Sequence, residues 1–234
     1  MAKKILVIDD SALMRRVISD IINSGGDYEV AAIARDGVEG FDLIVSNPHL
    51  YSAVILDINM PKMNGLELLE KLQKNRIEQT VIVVSTVAKE GAKETIKALE
   101  LGAFDFVTKP ENYLETKGET FKNNIHKMLD LATGSHRSKV DLRTTSFAKP
   151  GSVVRPAKPK PVVMPRKLEP GNFTGVKTGR KKIVALACST GGPKSLQQVI
   201  PYLPKNLDAP VVLVQHMPAG FTFSLSQRLN EISE

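Results

Sequence analysis

Five short apolar runs, each followed by charged or hydroxyl residues and separated by helical repeats, restrict what this chain can fold into. They are Lys4-Ile5-Leu6-Val7-Ile8, Tyr28 to Ala34, Ala53 to Leu56, Thr80 to Val84 and Phe104 to Thr108. Strands apolar at nearly every position must be covered on both faces, which is the condition of a parallel sheet with helices on either side. The intervening segments supply those helices. Ser11 can cap one whose apolar residues Leu13, Met14, Val17, Ile18, Ile21 and Ile22 recur at helical spacing before Gly25-Gly26 stop it. Asp36 to Val45, Gly65 to Lys74, Glu90 to Leu101 and Thr120 to Leu131 supply four more. The pattern predicts an α/β domain over residues 1–132, a doubly wound, flavodoxin-like parallel sheet of five strands.

Ligands of such sheets bind in the crevice beyond the carboxyl ends of the strands. Asp9 and Asp10 follow the first run, Asp57 the third, Ser85 the fourth and Lys109-Pro110 the fifth. A single acid in such a loop is ordinarily solvated. Residues of these types at the ends of four strands point instead to one site. Asp9, Asp10 and Asp57, with the backbone carbonyl of Asn59, offer a hard-cation site of oxygen ligands suited to Mg²⁺. With the metal, Lys109 neutralises a transferring phosphoryl group, Ser85 donates a hydrogen bond to it, and Asp57 is the acceptor.

On Asp9-Asp10, the run Leu56-Asp57-Ile58-Asn59-Met60-Pro61-Lys62-Met63-Asn64-Gly65, Ser85 and Lys109-Pro110, the first 130 or so residues resemble the receiver domain of two-component response regulators. The resemblance implies phosphorylation of Asp57 by a histidine kinase and a cis peptide before Pro110. Phe106 stands where many receivers carry an aromatic residue that changes rotamer on phosphorylation, and here it lacks a hydroxyl.

Residues 133–181 change character. Six of the chain's 14 prolines lie there, among Lys, Arg, Ser and Gly without a sustained period. From Ser135 to Lys182, 13 basic residues face two acids, a local +11 of the total +7 that leaves −4 for the rest. Such a stretch cannot bury enough apolar surface to offset its backbone entropy, and it reads as a basic, Pro-rich linker. It has no aromatic interleaving and no recognition helix, so nucleic acid is not expected as a partner. No apolar run is long enough for a membrane span, the start shows no signal peptide, and Cys188 is the single cysteine. A reducing cytoplasm is the simplest location.

Order is predicted to resume at residue 182. Ile183 to Ala187 reads as a strand, Ser189-Thr190-Gly191-Gly192 as a tight turn, Pro193 as the first residue of a helix to Ile200, and Val211 to Val214 as a second strand. A stretch of 53 residues opening this way reads as an incomplete second α/β domain, 182–234. Ala187-Cys188-Ser189-Thr190-Gly191 has the context of a nucleophile elbow, with Ala in place of the first Gly. His216 follows the next strand, and neighbouring strands would let Ser189 and His216 meet as nucleophile and base. A plain strand-to-helix turn is the competing reading. Cys188 is expected to point back into the sheet. A P-loop fits worse, because Pro193 stands where glycine is needed before Lys194.

With Ser-Thr-Gly-Gly, Gln215-His216-Met217-Pro218 and Gly220-Phe221-Thr222 in that order, this segment resembles the opening of the catalytic domain of chemotaxis protein-glutamate methylesterases. That implies demethylation, and deamidation, of chemoreceptor side chains through an acyl-enzyme on Ser189 with His216 as base. The family's triad aspartate lies far downstream, beyond any position of this chain. Two other classes stay open: a receiver adaptor without catalysis, and a DNA-binding response regulator, which needs a helix-turn-helix after the linker. His49, His126 and His136 lack metal-ligand spacing.

Overall fold

The computed structural model describes residues 2–86, 88–110, 118–135 and 182–233, so His136 and residues 136–181 of the expected linker lie outside the described residues. The first part comprises β1 (Lys3–Ile8), α1 (Ala12–Asn23), β2 (Tyr28–Ala34), α2 (Gly37–Ser46), β3 (Ala53–Asp57), α3 (Gly65–Lys74), β4 (Val81–Ser85), α4 (Lys89–Glu100), β5 (Asp105–Thr108) and α5 (Glu119–Ala132). The strands are parallel in the order β2-β1-β3-β4-β5, the predicted doubly wound sheet.

Alternation along each strand sorts its side chains onto two cores. Ile5 and Val7 of β1 pack with Ile18 and Ile22 of α1 and with Phe121, Ile125 and Leu129 of α5. Leu6 and Ile8 belong to the opposite core, with Ile44 of α2, Leu68 and Leu72 of α3, and Ile96 and Leu99 of α4. Each of these residues is buried. Helix starts are fixed by side-chain caps: Ser11 accepts from the Met14 N–H, Asp36 from Glu39, and Asn64 forms a capping box with Glu67.

Strands β3 and β4 each run one residue further than expected. The ladder pairs Asp57 with Val84 and Ser85 with Thr108, so both functional side chains stand on hydrogen-bonded backbone instead of in loops. Gly65 is required where α3 begins: its N–H donates to the Ile58 carbonyl at 2.8 Å, and a side chain there would collide with the Asp57 carbonyl. The peptide before Pro110 is trans, contrary to expectation, since no cis bond occurs among the described residues. An X-Pro bond intrinsically prefers trans by about 0.5–1 kcal/mol.

The later part contains β6 (Val184–Cys188), α6 (Gly192–Val199), a 3₁₀ turn (Ile200–Tyr202), β7 (Val211–Gln215) and α7 (Phe221–Ile232). Strands β6 and β7 form a parallel pair. Helix α7 was not anticipated, although Phe221, Leu225 and Leu229 recur at a spacing of four and are its buried residues. With Leu196 of α6 they join the core on the α4 side of the five-stranded sheet. Val212, Leu213 and Val214 of β7 remain exposed. Among the described residues no helix is long and apolar enough to cross a membrane.

Candidate functional site

The carboxyl ends of β1, β3 and β5 converge. Asp9, Asp10 and Asp57 each bring a carboxylate oxygen within 4.8 Å of the others, Asp9 and Asp57 buried and Asp10 exposed. Lys109 reaches into this group, its Nζ 2.9 Å from Asp9 Oδ2 and 2.8 Å from Asp57 Oδ2. The remaining oxygens of the two buried acids take backbone donors: Asp9 Oδ1 accepts from Ser11 N–H and Asp57 Oδ1 from Ile58 N–H, both at 2.8 Å. Burial pushes the Asp57 carboxyl above the usual carboxylate range; Lys109 offsets part of this, and the Asp9 charge adds to it. Burial alone would lower the Lys109 value, but the Asp57 and Asp9 charges prevail and hold its ammonium above the usual lysine range. The donor set is all oxygen and carries surplus negative charge, which fits a hard divalent cation.

Two other expected members stand less directly. Ser85 is buried and its hydroxyl donates to the carbonyls of Gly91, 3.3 Å, and Thr86, 3.4 Å. Asn59 is exposed, its side-chain amide donating to Glu94 at 3.2 Å.

A second crevice lies at the carboxyl ends of β6 and β7. The register pairs Cys188 with Gln215, so Ser189 and His216 are the next residues on adjacent strands, and the His216 N–H donates to the Cys188 carbonyl at 3.0 Å. Both side chains are exposed and line one cleft of about 300 Å³. Cys188 is partly buried and packs against the core, as its place in the turn implied.

The opposite wall of that cleft comes from the five-stranded domain: Asp105, Phe106 and Thr108 of β5, and Asn124, Lys127 and Met128 of α5. Asp105 is the member that the sequence did not mark. Its Oδ2 accepts the Gly191 N–H at 2.8 Å, two residues past Ser189, and its Oδ1 accepts the Phe106 N–H at 2.9 Å. Burial pushes its carboxyl up, and those two donors offset part of the shift. Beside it, Phe106 stacks on Phe221 with ring centroids 4.6 Å apart. Lys194 Nζ donates to the Gly102 carbonyl at 3.1 Å, and Arg228 pairs with Glu100 at 2.8 Å.

A five-stranded parallel sheet in this order, with an acid cluster and a lysine at its carboxyl edge, defines the response-regulator receiver class. Residues 5–117 match the response regulator receiver domain, and residues 184–234 match the CheB methylesterase domain. Both parts of the chain are thus similar to CheB proteins. The chain is 40% identical over 232 residues to a protein-glutamate methylesterase/protein-glutamine glutaminase of Pyrococcus horikoshii, covering 99% of this chain and 57% of the relative. The Bacillus subtilis protein of the same name is 41% identical over 232 residues, with 99% and 60% covered. The chain thus spans about three-fifths of the length of these relatives. Among solved structures, the response regulator domain of Thermotoga maritima CheB aligns with a TM-score of 0.48 at 36% identity, over 57% of this chain and 96% of that one.

Proposed function

We propose that the protein is a phosphorylation-gated methylesterase of chemotaxis, acting in the cytoplasm, with a receiver over 1–132, a linker over 133–181 and esterase chemistry in the segment from 182. Thr133 to Ser135 are the described part of that linker, and the Thr133 carbonyl and Ser135 hydroxyl both accept from Lys3 of the receiver. In this reading a histidine kinase is the phosphodonor and methyl-esterified glutamyl side chains of chemoreceptors are the substrate, with glutamine deamidation as a second reaction of the same site.

In the receiver, an oxygen of Asp57 attacks phosphorus as the bond to the donor's histidine nitrogen breaks. Asp9, Asp10, Asp57 and the Asn59 carbonyl would hold Mg²⁺, which when bound supplies positive charge to the phosphoryl oxygens. Lys109, beside Asp57, supplies a second cation. Ser85 contributes by turning its hydroxyl from the Gly91 carbonyl toward the phosphoryl group, a rotation about one bond.

At the other site, Ser189 Oγ adds to the ester carbonyl while the His216 imidazole takes its proton. The Thr190 N–H, and the Gly191 N–H once released from Asp105, would serve the developing oxyanion. Collapse expels methanol, which takes the proton from His216; water then repeats the sequence on the acyl-enzyme and releases the glutamate.

The observation that carries this reading is that the cleft lined by Ser189 and His216 is walled by β5 and α5 of the receiver, with Asp105 bonded to the Gly191 N–H. A receiver seated there limits access of a receptor helix to Ser189. Phosphorylation of Asp57 then acts as a population shift from covered to open. The test is methanol release from methylated receptor by the full-length protein, with and without a small-molecule phosphodonor. The expected result is stimulation that Asp57→Ala removes and turnover that Ser189→Ala abolishes. Persistence of turnover in Ser189→Ala, or of radiolabelling in Asp57→Ala, refutes the corresponding half.

A further inference from the structure

The backbone ladder between β6 and β7 ends at His216. Its last rung is the bond from His216 N–H to the Cys188 carbonyl. Among the described residues no backbone bond joins the two strands beyond it, and Ser189 and the His216 carbonyl are the first groups past that point. One side chain spans the gap. Gln215 Nε2 donates to the Ser189 carbonyl at 2.9 Å and to the His216 carbonyl at 3.0 Å. A primary amide has two N–H groups, and here each is used on the main chain of one member of the pair.

The surroundings are shaped around that amide. The Ser189 carbonyl also accepts the Gly192 N–H at 2.8 Å, so the turn and the neighbouring strand share one acceptor with two lone pairs. Any side chain at Gly192 would collide with Gln215 Oε1 and with Cys188 Cβ. Oε1 itself is buried with no hydrogen-bond partner among the described residues. An oxygen left without a donor costs free energy. The orientation is nonetheless kept, because turning the amide over would set that oxygen against two carbonyl oxygens.

We infer that Gln215 is a positioning residue for the reaction: its amide pins the Ser189 and His216 backbones at a fixed separation and so sets the distance between nucleophile and base. This rests on the Ser189/His216 reading of the site. Its effect falls on the chemical step, since a displacement of about 1 Å in such a pair can cost ~10²-fold in rate while substrate contacts elsewhere persist. The relevant substitution is Gln215→Met, which keeps length and volume but has no donor. Gln215→Glu keeps the shape and places an oxygen against both carbonyls.

Two measurements test this. The first needs no turnover: in the chain itself, the Gln215 side-chain amide protons should exchange slowly and show two well-separated shifts by NMR. A freely exchanging amide would overturn the pin. The second is methanol release by the full-length protein. Gln215→Met and Gln215→Glu should lower kcat about 10–100-fold with KM changed less than twofold. Receiver phosphorylation and the α4 contact should be unaltered. Unchanged kcat in Gln215→Met would overturn the inference while leaving Ser189 in place, as would a loss confined to KM. Should Ser189→Ala keep full turnover, the underlying reading fails instead, and the positioning role falls with it.

Discussion

The Phe106–Phe221 stack is the most exposed point of the gating argument, because its worth can be calculated and then measured. Phe106 is 8% exposed and Phe221 0%, with ring planes 24° apart at 4.6 Å. Truncating a fully buried Phe to Ala costs about 3–5 kcal/mol, of which a ring pair in contact accounts for about 0.5–1.5 kcal/mol beyond the area it buries. Phe106 belongs to the receiver and Phe221 to the esterase segment, so a double-mutant cycle isolates the contact between them. The reporter is hydrogen exchange at the Gly191 amide, which Asp105 holds at 2.8 Å only while the two parts stay docked. Phe106→Ala should accelerate that exchange by ~10², equivalent to about 3 kcal/mol. Adding Phe221→Ala should accelerate it further, by about fivefold less than the product of the single effects, a coupling of about 1 kcal/mol. Strict additivity would mean that the rings do not act as a pair. No change at Gly191 in Phe106→Ala would mean that the receiver does not hold the segment, and the gate fails with it.

Asp57→Asn should abolish phosphorylation and stabilise the receiver at neutral pH. The folded-state pKa of Asp57 is raised above its unfolded value. The wild-type protein therefore loses stability as pH climbs from about 4 through the folded value, and the gain in the variant grows over that window, as urea unfolding at a series of pH values would reveal. Lys109→Met strips the shared cation from Asp9 and Asp57 and should destabilise by about 3 kcal/mol at neutral pH. That loss should shrink as pH falls and Asp57, whose folded value is raised, takes up a proton, and on adding Mg²⁺; a loss insensitive to both would count against the shared-cation account. Arg228→Ala removes a pair whose side chains are about 30% exposed, Glu100 being held low by Arg228 and Lys97 against the effect of burial. It should accelerate Gly191 exchange by no more than about fivefold, an effect abolished in 1 M salt.

The receiver fold was legible because its signals are local and repeated. Apolar strands buried on both faces dictate a covered parallel sheet, and acids directly after them must lie at one edge. Asp9, Asp10, Asp57 and Lys109 therefore converge as spacing alone implied. The contacts that join the two parts were not legible. Asp105 reads as any acid at a strand start, and its bond to Gly191 spans 86 residues. Helix α7 had a visible i, i+4, i+8 pattern in Phe221, Leu225 and Leu229, but without the α4 surface there was no partner for that face to bury against. The Ser85 hydroxyl shows a third limit. Sequence places the residue directly after the strand, whereas its rotamer depends on the Gly91 and Thr86 carbonyls brought in by the next turn.

Strand β5 is where the two sites meet. It has four residues, opens with Asp105 and Phe106 at the esterase cleft, and leads directly into Lys109 at the phosphoryl site. At about 3.3 Å per residue, some 13 Å separates Asp105 from Lys109. As an edge strand it is hydrogen-bonded to β4 alone, and the Lys109 N–H extends that ladder to the Ser85 carbonyl at 2.7 Å. In the proposed function a phosphoryl group on Asp57 would draw Lys109 and the Ser85 hydroxyl to new partners, and both are tied to this one short strand. Its displacement breaks no bond in the centre of the sheet, which makes β5 the least costly element through which the acid pocket can reach Gly191. A phosphodonor should then accelerate Gly191 exchange in the wild-type protein and add little in Phe106→Ala, where the stack is already gone. Equal, independent acceleration in both would place the signal on another route.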